Sequence, residues 1–149
     1  MVLSTLYKRV LRLSERLEQK MINFMQQALP TSSDRLICAH VHMGSNPTIH
    51  DIAVRFHEDN SSVVWKFLAR HSKSDKDRVF LMSDSENVLR MGRSQIFGHR
   101  MVASGGSINH INRSGSLGTE ERCAGLEKVI FDQHVLMQCD VLLISLKWN

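Results

Sequence analysis

Short apolar runs that alternate with helical segments constrain the fold of this chain more than any other feature. The clearest runs are at 35–41, 78–82 and 140–145, and 100–104 is a weaker fourth. The runs at 35–41 and 78–82 lack the polar–apolar alternation of a half-exposed strand. Such continuous apolar runs are typical of strands buried on both faces. Strands separated by helices predict βαβ units, and hence a parallel sheet with helices on its faces.

The helical segments divide the chain into two predicted parts. Apolar residues recur at three- and four-residue spacing over residues 3–29, and Pro30 ends that pattern. We therefore expect an N-terminal amphipathic helix within 1–30, followed by an α/β domain over 31–149. Further helices are predicted at 61–71 and 119–138. Another is predicted to begin at Ser83, because Ser83 and Glu86 stand at the spacing of a capping box.

Length and charge narrow the class of protein. A chain of 149 residues fits one domain, whereas an eight-stranded α/β barrel needs about 250. The net charge of +4 suits an anionic ligand, but no dense Lys/Arg run with interleaved aromatic residues predicts nucleic-acid binding. No stretch reaches the roughly 18 apolar residues of a membrane span. The cysteines Cys38, Cys123 and Cys139 are odd in number and widely spaced, so free thiols are expected.

Ligands of open parallel sheets bind beyond the carboxyl ends of the strands. That rule selects three segments here: His40 to Gly44, Ser83 to Ser85, and Ser145 onward. His40 and His42 share one strand face, because side chains alternate with period two. A His-x-His pair can begin a metal site, but no further ligand stands at a recognisable spacing.

Other residues in these segments leave alternatives open. Gly44 allows close approach of the backbone to a phosphate, or simply forms a turn. Asp84, between Ser83 and Ser85, accepts hydrogen bonds from a nucleoside or caps the next helix. Asp132 lies in a largely apolar helix, where a charge needs a partner or faces solvent. No G-x-G-x-x-G or P-loop pattern occurs in the chain.

Three segments, at 37–44, 78–85 and 127–145, together resemble the α-1,2/α-1,6-fucosyltransferase superfamily. The run Ile37-Cys38-Ala39-His40-Val41-His42-Met43-Gly44 resembles its His-x-Arg-x-Gly strand end, and 78–85 resembles its second motif, a strand ending in acids. Residues 127–145 resemble its third motif, a helix running into a strand. The order and spacing agree over about residues 34–145. The resemblance implies the donor-binding, C-terminal half of a GT-B glycosyltransferase.

The resemblance also implies an activity and a set of ligands. It implies metal-independent, inverting transfer of fucose from GDP-fucose to a glycan hydroxyl, without a cofactor. By position, His40 and Gly44 would line the diphosphate pocket and Ser145 would lie near the phosphates. Asp84, flanked by Ser83 and Ser85, would meet the guanosine, and Asp132 the guanine end. The residues themselves give no location in the cell; the resemblance implies the Golgi.

Two departures from the family pattern separate this chain from an ordinary member. His42 stands where the family has an arginine, which offers a permanent charge and a bidentate fork. Residues 146–149 do not match the Ser-rich phosphate loop of the family, so the sequence predicts a donor domain truncated at its C-terminus. Two alternatives remain: a non-catalytic nucleotide- or glycan-binding module of the same fold, and a His-x-His metal hydrolase.

Overall fold

A computed structural model describes residues 13–43, 60–106 and 118–145 of the chain. Four helices of this part alternate with four strands, and a 3₁₀ turn at Gly98–Arg100 precedes the third strand. The helices are α1 (Glu15–Ala28), α2 (Ser61–His71), α3 (Glu86–Arg93) and α4 (Thr119–Leu136). The strands are β1 (Arg35–Val41), β2 (Asp77–Ser83), β3 (Met101–Val102) and β4 (Val141–Ile144).

The four strands form one parallel sheet in the order β3-β2-β1-β4. The central strands pair from Arg35 opposite Asp77 to Val41 opposite Ser83, and β4 pairs from Val141 opposite Ile37. Because all four strands run the same way, their carboxyl ends lie along one edge of the sheet. The prediction of an α/β fold with a Rossmann-like parallel sheet flanked by helices is confirmed at this level.

Each face of the sheet carries its own buried cluster. One cluster packs Val64 and Leu68 of α2 and Val88 of α3 against alternate strand residues such as Ile37 and Val79. The other packs Met21 of α1 and the end of α4 against the intervening strand residues, and it includes Leu36, Cys38, Phe80, Phe131 and Val135. The central strands β1 and β2 are therefore buried on both faces, which is why their sequences show no alternation. In the edge strand β4, one face is exposed, because Leu142 and Ile144 are 39% and 47% exposed.

The sequence placed the strands within about one residue at most ends, but it misplaced two helix starts. A helix was predicted over 3–29, yet Leu13 is not helical and Ser14 is the N-cap of α1, so α1 begins at Glu15. The second error is the start of α3. Ser83 is the last residue of β2, and its hydroxyl accepts a hydrogen bond from the Ser85 amide at 3.1 Å. Ser85 is the N-cap of α3, and its hydroxyl accepts from the Val88 amide at 3.4 Å. The predicted capping box between Ser83 and Glu86 is therefore wrong, because the strand extends through Ser83.

The prediction of free thiols is wrong for two of the three cysteines. Cys38 in β1 and Cys139 in the turn between α4 and β4 form a disulfide, with their Cα atoms 6.0 Å apart. Cys123 is a free, exposed thiol. The pairing joins residues separated by 101 positions, and only the adjacency of β1 and β4 brings them together.

Among the described residues, no helix is long and apolar enough to cross a bilayer.

A buried carboxylate fixes the start of β2. Asp77 accepts hydrogen bonds from Arg35 Nε at 2.9 Å and from the Ser74 amide at 2.8 Å. Burial by itself raises the pKa of Asp77, but the Ser74 and Lys73 amides and the Arg35 guanidinium outweigh it and hold the pKa below its usual value. The ionised form of Asp77 is therefore the one that the fold stabilises.

Replacing Asp77 by asparagine is expected to lower the free energy of unfolding by about 2 kcal/mol at pH 7. Because the pKa is depressed in the folded state, this stabilisation is present above about pH 4, the unfolded value, and is lost as pH falls through the folded pKa. Urea unfolding at pH 7 and pH 3 measures the difference, which should shrink at pH 3. Asp75→Asn, at an exposed neighbour, is the control.

Candidate functional site

Backbone and side-chain hydrogen bonds join the carboxyl ends of β1, β2 and β4. The His42 amide donates to Ser145 Oγ at 2.9 Å, and the Ser145 amide donates to the His40 carbonyl at 2.9 Å. On the other side of β1, the Met43 amide donates to Asp84 Oδ1 at 2.7 Å. The structure therefore places His40, His42, Asp84 and Ser145 together at one edge. Gly44 lies outside the described residues.

An imidazole and a carboxylate pair at the centre of this edge. His42 Nδ1 lies 3.2 Å from Asp84 Oδ2, with side-chain exposures of 37% and 13%. Asp84 therefore holds the end of β1 twice, once through the Met43 amide and once through the His42 ring. Asp84 stands between the end of β2 and the N-cap Ser85, so the sequence expectation of a residue at the strand-to-helix turn is met.

His40 lies two residues before His42 on the same face of β1, and the centroids of the two rings are 6.4 Å apart. Burial lowers the pKa of His40, and the nearby His42 lowers it further. Asp84 and Asp132 act in the opposite direction without reversing the shift. His40 is therefore a neutral imidazole near pH 7, able to donate or accept a hydrogen bond but carrying no charge.

A cleft of about 80 Å³ opens where the ends of β2 and β3 meet α4. Its polar wall is built by three side chains: Lys128 Nζ donates to Ser104 Oγ at 2.8 Å and to Asp132 Oδ2 at 2.9 Å. Asp132 is only 6% exposed, and its second oxygen, Oδ1, is buried without a hydrogen-bond partner. A buried carboxylate oxygen without a donor is costly, so Oδ1 is a candidate acceptor for a ligand N–H or O–H group.

Two glycines close the rim of this cleft beside Lys128. Gly105 and Gly106 have φ angles of 69° and 81°, a region that favours glycine. A Cβ atom on Gly106 would lie 3.3 Å from Lys128 Cδ, so a side chain there would press on the lysine stem. The glycine pair therefore lets the backbone turn tightly against Lys128 at the mouth of the cleft.

The remaining predicted site residues divide between the cleft and the framework. Ser83 is nearly buried and lines the cleft, while Ser85 serves as the helix cap. Asp132 faces the cleft and is paired with Lys128, so the reading of a charge that needs a partner is correct and the solvent-facing alternative is wrong. In the described part of the chain, no three His, Cys, Asp or Glu side chains are grouped to hold a metal ion.

Sequence reasoning missed Lys128 and Ser104, which complete the wall around Asp132. Lys128 could have been found, because it stands four residues before Asp132 on a predicted helix, and that spacing places the two side chains side by side. Ser104 carries no local signal, since its approach to Lys128 depends on how β3 and α4 pack. The Gly105-Gly106 pair belongs to neither a G-x-G-x-x-G nor a P-loop pattern, so no motif pointed to it.

Comparison with protein-family models and with curated proteins finds no match for this chain.

Proposed function

We propose that this chain binds GDP-fucose at the carboxyl edge of its sheet, as the donor-binding half of a GT-B fucosyltransferase. The reaction proposed is inverting transfer of fucose to a glycan hydroxyl, with no metal and no cofactor. The observation that carries the proposal is the buried, unpartnered Oδ1 of Asp132 in a cleft at that edge. The ordered resemblance of residues 34–145 to the fucosyltransferase motifs supplies the ligand class.

The cleft suits the base of the nucleotide. A purine offers ring and exocyclic N–H donors along one edge, and Asp132 Oδ1 is an acceptor that lacks a donor. Asp132 Oδ2 already accepts a hydrogen bond from Lys128, so Oδ1 is the oxygen that remains for a donor on the ligand. In this arrangement guanine, with adjacent ring and amino N–H groups, is preferred to adenine, whose corresponding edge holds a ring acceptor.

The diphosphate would bind against His40, His42 and Ser145, which lie at the carboxyl ends of β1 and β4. His40 offers a neutral imidazole, His42 an imidazole that can carry charge, and Ser145 a hydroxyl. In an inverting transfer the acceptor oxygen attacks the sugar carbon, and the bond to the diphosphate oxygen breaks on the opposite side. Groups that balance the charge growing on the diphosphate would then promote its departure.

The Cys38–Cys139 disulfide supports a location of this reaction in an oxidising compartment. Disulfides persist in oxidising compartments such as the secretory lumen and are rare where glutathione keeps thiols reduced. The bridge ties a core strand of the donor-binding sheet to the end of α4. A Golgi location, as for the family that the chain resembles, is therefore part of the proposal.

Asp132→Asn is expected to weaken GDP binding at least tenfold, which is the effect of losing one charge-assisted hydrogen bond. Calorimetric titration of GDP, ADP and UDP into the wild-type chain and the variant measures it, and GDP should bind most tightly to the wild type. Glu120→Gln, an exposed acid in the first turn of the same helix, is the matched control and should leave GDP affinity unchanged.

Equal affinity of the wild type for all three nucleotides, or equal affinity of Asp132→Asn and wild type for GDP, would contradict this assignment of the cleft. Release of fucose from GDP-fucose separates an enzyme from a binding module. The histidine at position 42, in place of the family arginine, favours the non-catalytic alternative, since His carries less charge near neutral pH. GDP binding without any donor hydrolysis would establish that alternative.

A further inference from the structure

Among the described residues that line the cleft around Asp132, two are cations and one is a carboxylate. The cations are Arg93 of α3 and Lys128 of α4, and Lys128 is already paired with Asp132 at 2.9 Å. No hydrogen bond or ion pair joins the Arg93 side chain to another residue in the part of the chain that the structure describes. Its guanidinium therefore brings a positive charge and five N–H donors to the cleft without a protein acceptor for them.

The packing of α3 places Arg93 at this cleft. Gly92 is buried, and a Cβ atom there would lie 2.7 Å from Leu81 Cδ2 and 3.5 Å from Met101 Sδ. The absence of a side chain lets the last turn of α3 lie directly against β2 and β3. Arg93 follows as the final residue of the helix, and the Gln95 amide closes the turn by donating to the Gly92 carbonyl at 3.1 Å.

The walls between the polar groups of the cleft are apolar. They include Leu89 and Met101, which pack against one core cluster, and Met82 and Val102, which pack against the other. Apolar walls with a small number of polar groups are typical of pockets for organic ligands, in which the polar groups fix the orientation of the ligand. A flat aromatic ring suits such walls, and its edges would then face Asp132 and Arg93.

Guanine is the base whose two edges complement these two side chains. Its N1–H and 2-amino groups are donors for the unpartnered Oδ1 of Asp132, and its O6 and N7 atoms are neighbouring acceptors. An arginine donates to O6 and N7 together, because the spacing of its N–H groups matches that of the two acceptors. Adenine keeps N7 but has an amino group in place of O6, so an arginine would lose one of these two hydrogen bonds.

We propose that Arg93 is a second specificity-determining residue for the nucleotide, which donates hydrogen bonds to O6 and N7 of guanine while Asp132 accepts from the opposite edge. This inference rests on the proposed function, since it takes the base of the donor to lie in the cleft. It adds a residue of α3 to the acid on α4. The guanine of the donor is then recognised through its acceptors as well as through its donors.

The test compares GDP with 7-deaza-GDP, in which carbon replaces N7 and the donor edge is unchanged. Calorimetric titration into the wild-type chain should show about tenfold weaker binding of 7-deaza-GDP, the effect of losing one hydrogen bond to a charged group. Arg93 is exposed, so Arg93→Met should fold as the wild type does. That variant should bind GDP at least about tenfold more weakly and should bind GDP and 7-deaza-GDP with affinities within about twofold of each other.

Arg90→Met is the matched control, because it removes the same charge from the same helix. Arg90 is exposed, donates to Asn87 Oδ1 at 2.7 Å and is not among the residues that line the cleft. Its replacement should leave GDP affinity within about twofold of wild type and keep the tenfold preference over 7-deaza-GDP. A general attraction between surface cations and the diphosphate would instead weaken binding equally in Arg90→Met and Arg93→Met.

Circular dichroism and urea unfolding establish that both variants are folded before their affinities are compared. Equal binding of GDP and 7-deaza-GDP by the wild type would overturn the role of Arg93 while leaving the donor site intact. An undiminished preference for GDP in Arg93→Met would overturn it as well, even if both nucleotides bound more weakly, since the guanidinium would then act on the diphosphate. Failure of the wild type to bind GDP would refute the proposed function, and this inference with it.

Discussion

Replacing Cys139 by alanine is expected to lower the free energy of unfolding by about 2–5 kcal/mol. The bridge closes a loop of 101 residues, and a cross-link over so long a separation removes much of the entropy of the unfolded chain. Cys38 is fully buried in β1, so the replacement leaves its thiol packed in the core rather than exposed. Urea unfolding monitored by circular dichroism measures the loss.

The comparison is best made in a Cys123→Ser background, which removes the free thiol that could form a new bridge with Cys38. Cys123 is exposed, so Cys123→Ser alone should change the free energy of unfolding by less than about 0.5 kcal/mol. Adding reductant should lower the stability of Cys123→Ser to that of the double variant and leave the double variant unchanged. If reductant left the stability of Cys123→Ser unaltered, the disulfide would not contribute to the native state.

Phe131→Ala is expected to destabilise the chain by about 3–5 kcal/mol, a large share of the stability of a small domain. The ring is 1% exposed and lies at the centre of the cluster between α4, α1 and the sheet. Phe24 packs edge-on against it with centroids 5.6 Å apart, and Lys20 Nζ lies 4.9 Å from its centroid. Alanine would leave a cavity that neighbours on three elements cannot fill without moving.

Leu126→Ala provides the matched control on the same helix, since Leu126 is 47% exposed and its truncation creates no buried cavity. Its expected cost is within about 0.5–1 kcal/mol. Chemical denaturation of both variants at pH 7 gives the comparison. Equal losses for Phe131→Ala and Leu126→Ala would show that α4 does not pack on the sheet as described. Because Phe131 precedes Asp132, the measurement also reports on the support of the cleft.

The position of Asp132 explains how stability and function are connected in α4. Phe131 and Val135 anchor the helix to the sheet, and Asp132 between them faces the cleft with Lys128. Burial of Oδ1 without a hydrogen-bond donor lowers the stability of the fold, and the surrounding apolar contacts offset that loss. We therefore expect binding of a donor-bearing ligand to raise the stability of the chain, as any ligand that binds only the folded state does.

Local patterns in the sequence were sufficient to predict the elements and their order. The runs at 35–41 and 78–82 became β1 and β2 with shifts of at most one residue, because a buried strand has a distinctive apolar composition. The alternation of strands and helices was enough to predict the parallel sheet, since parallel neighbours require long crossovers. Ligands of parallel sheets bind beyond the carboxyl ends of the strands, and this rule predicted a site that includes His40, His42, Asp84 and Ser145. These four residues do lie at one edge of the sheet.

Groups that are distant in the sequence meet only through the packing of the folded chain. The Cys38–Cys139 bridge, the His42–Asp84 contact and the approach of Lys128 to Ser104 join residues 24 to 101 positions apart. Such contacts depend on strand register and on how the helices pack, and no local pattern encodes those distances. Local composition and spacing specify the strands, the helices and the edge where polar residues gather. Packing determined the partner of each of those residues, and so their charge and the hydrogen bonds they can still make.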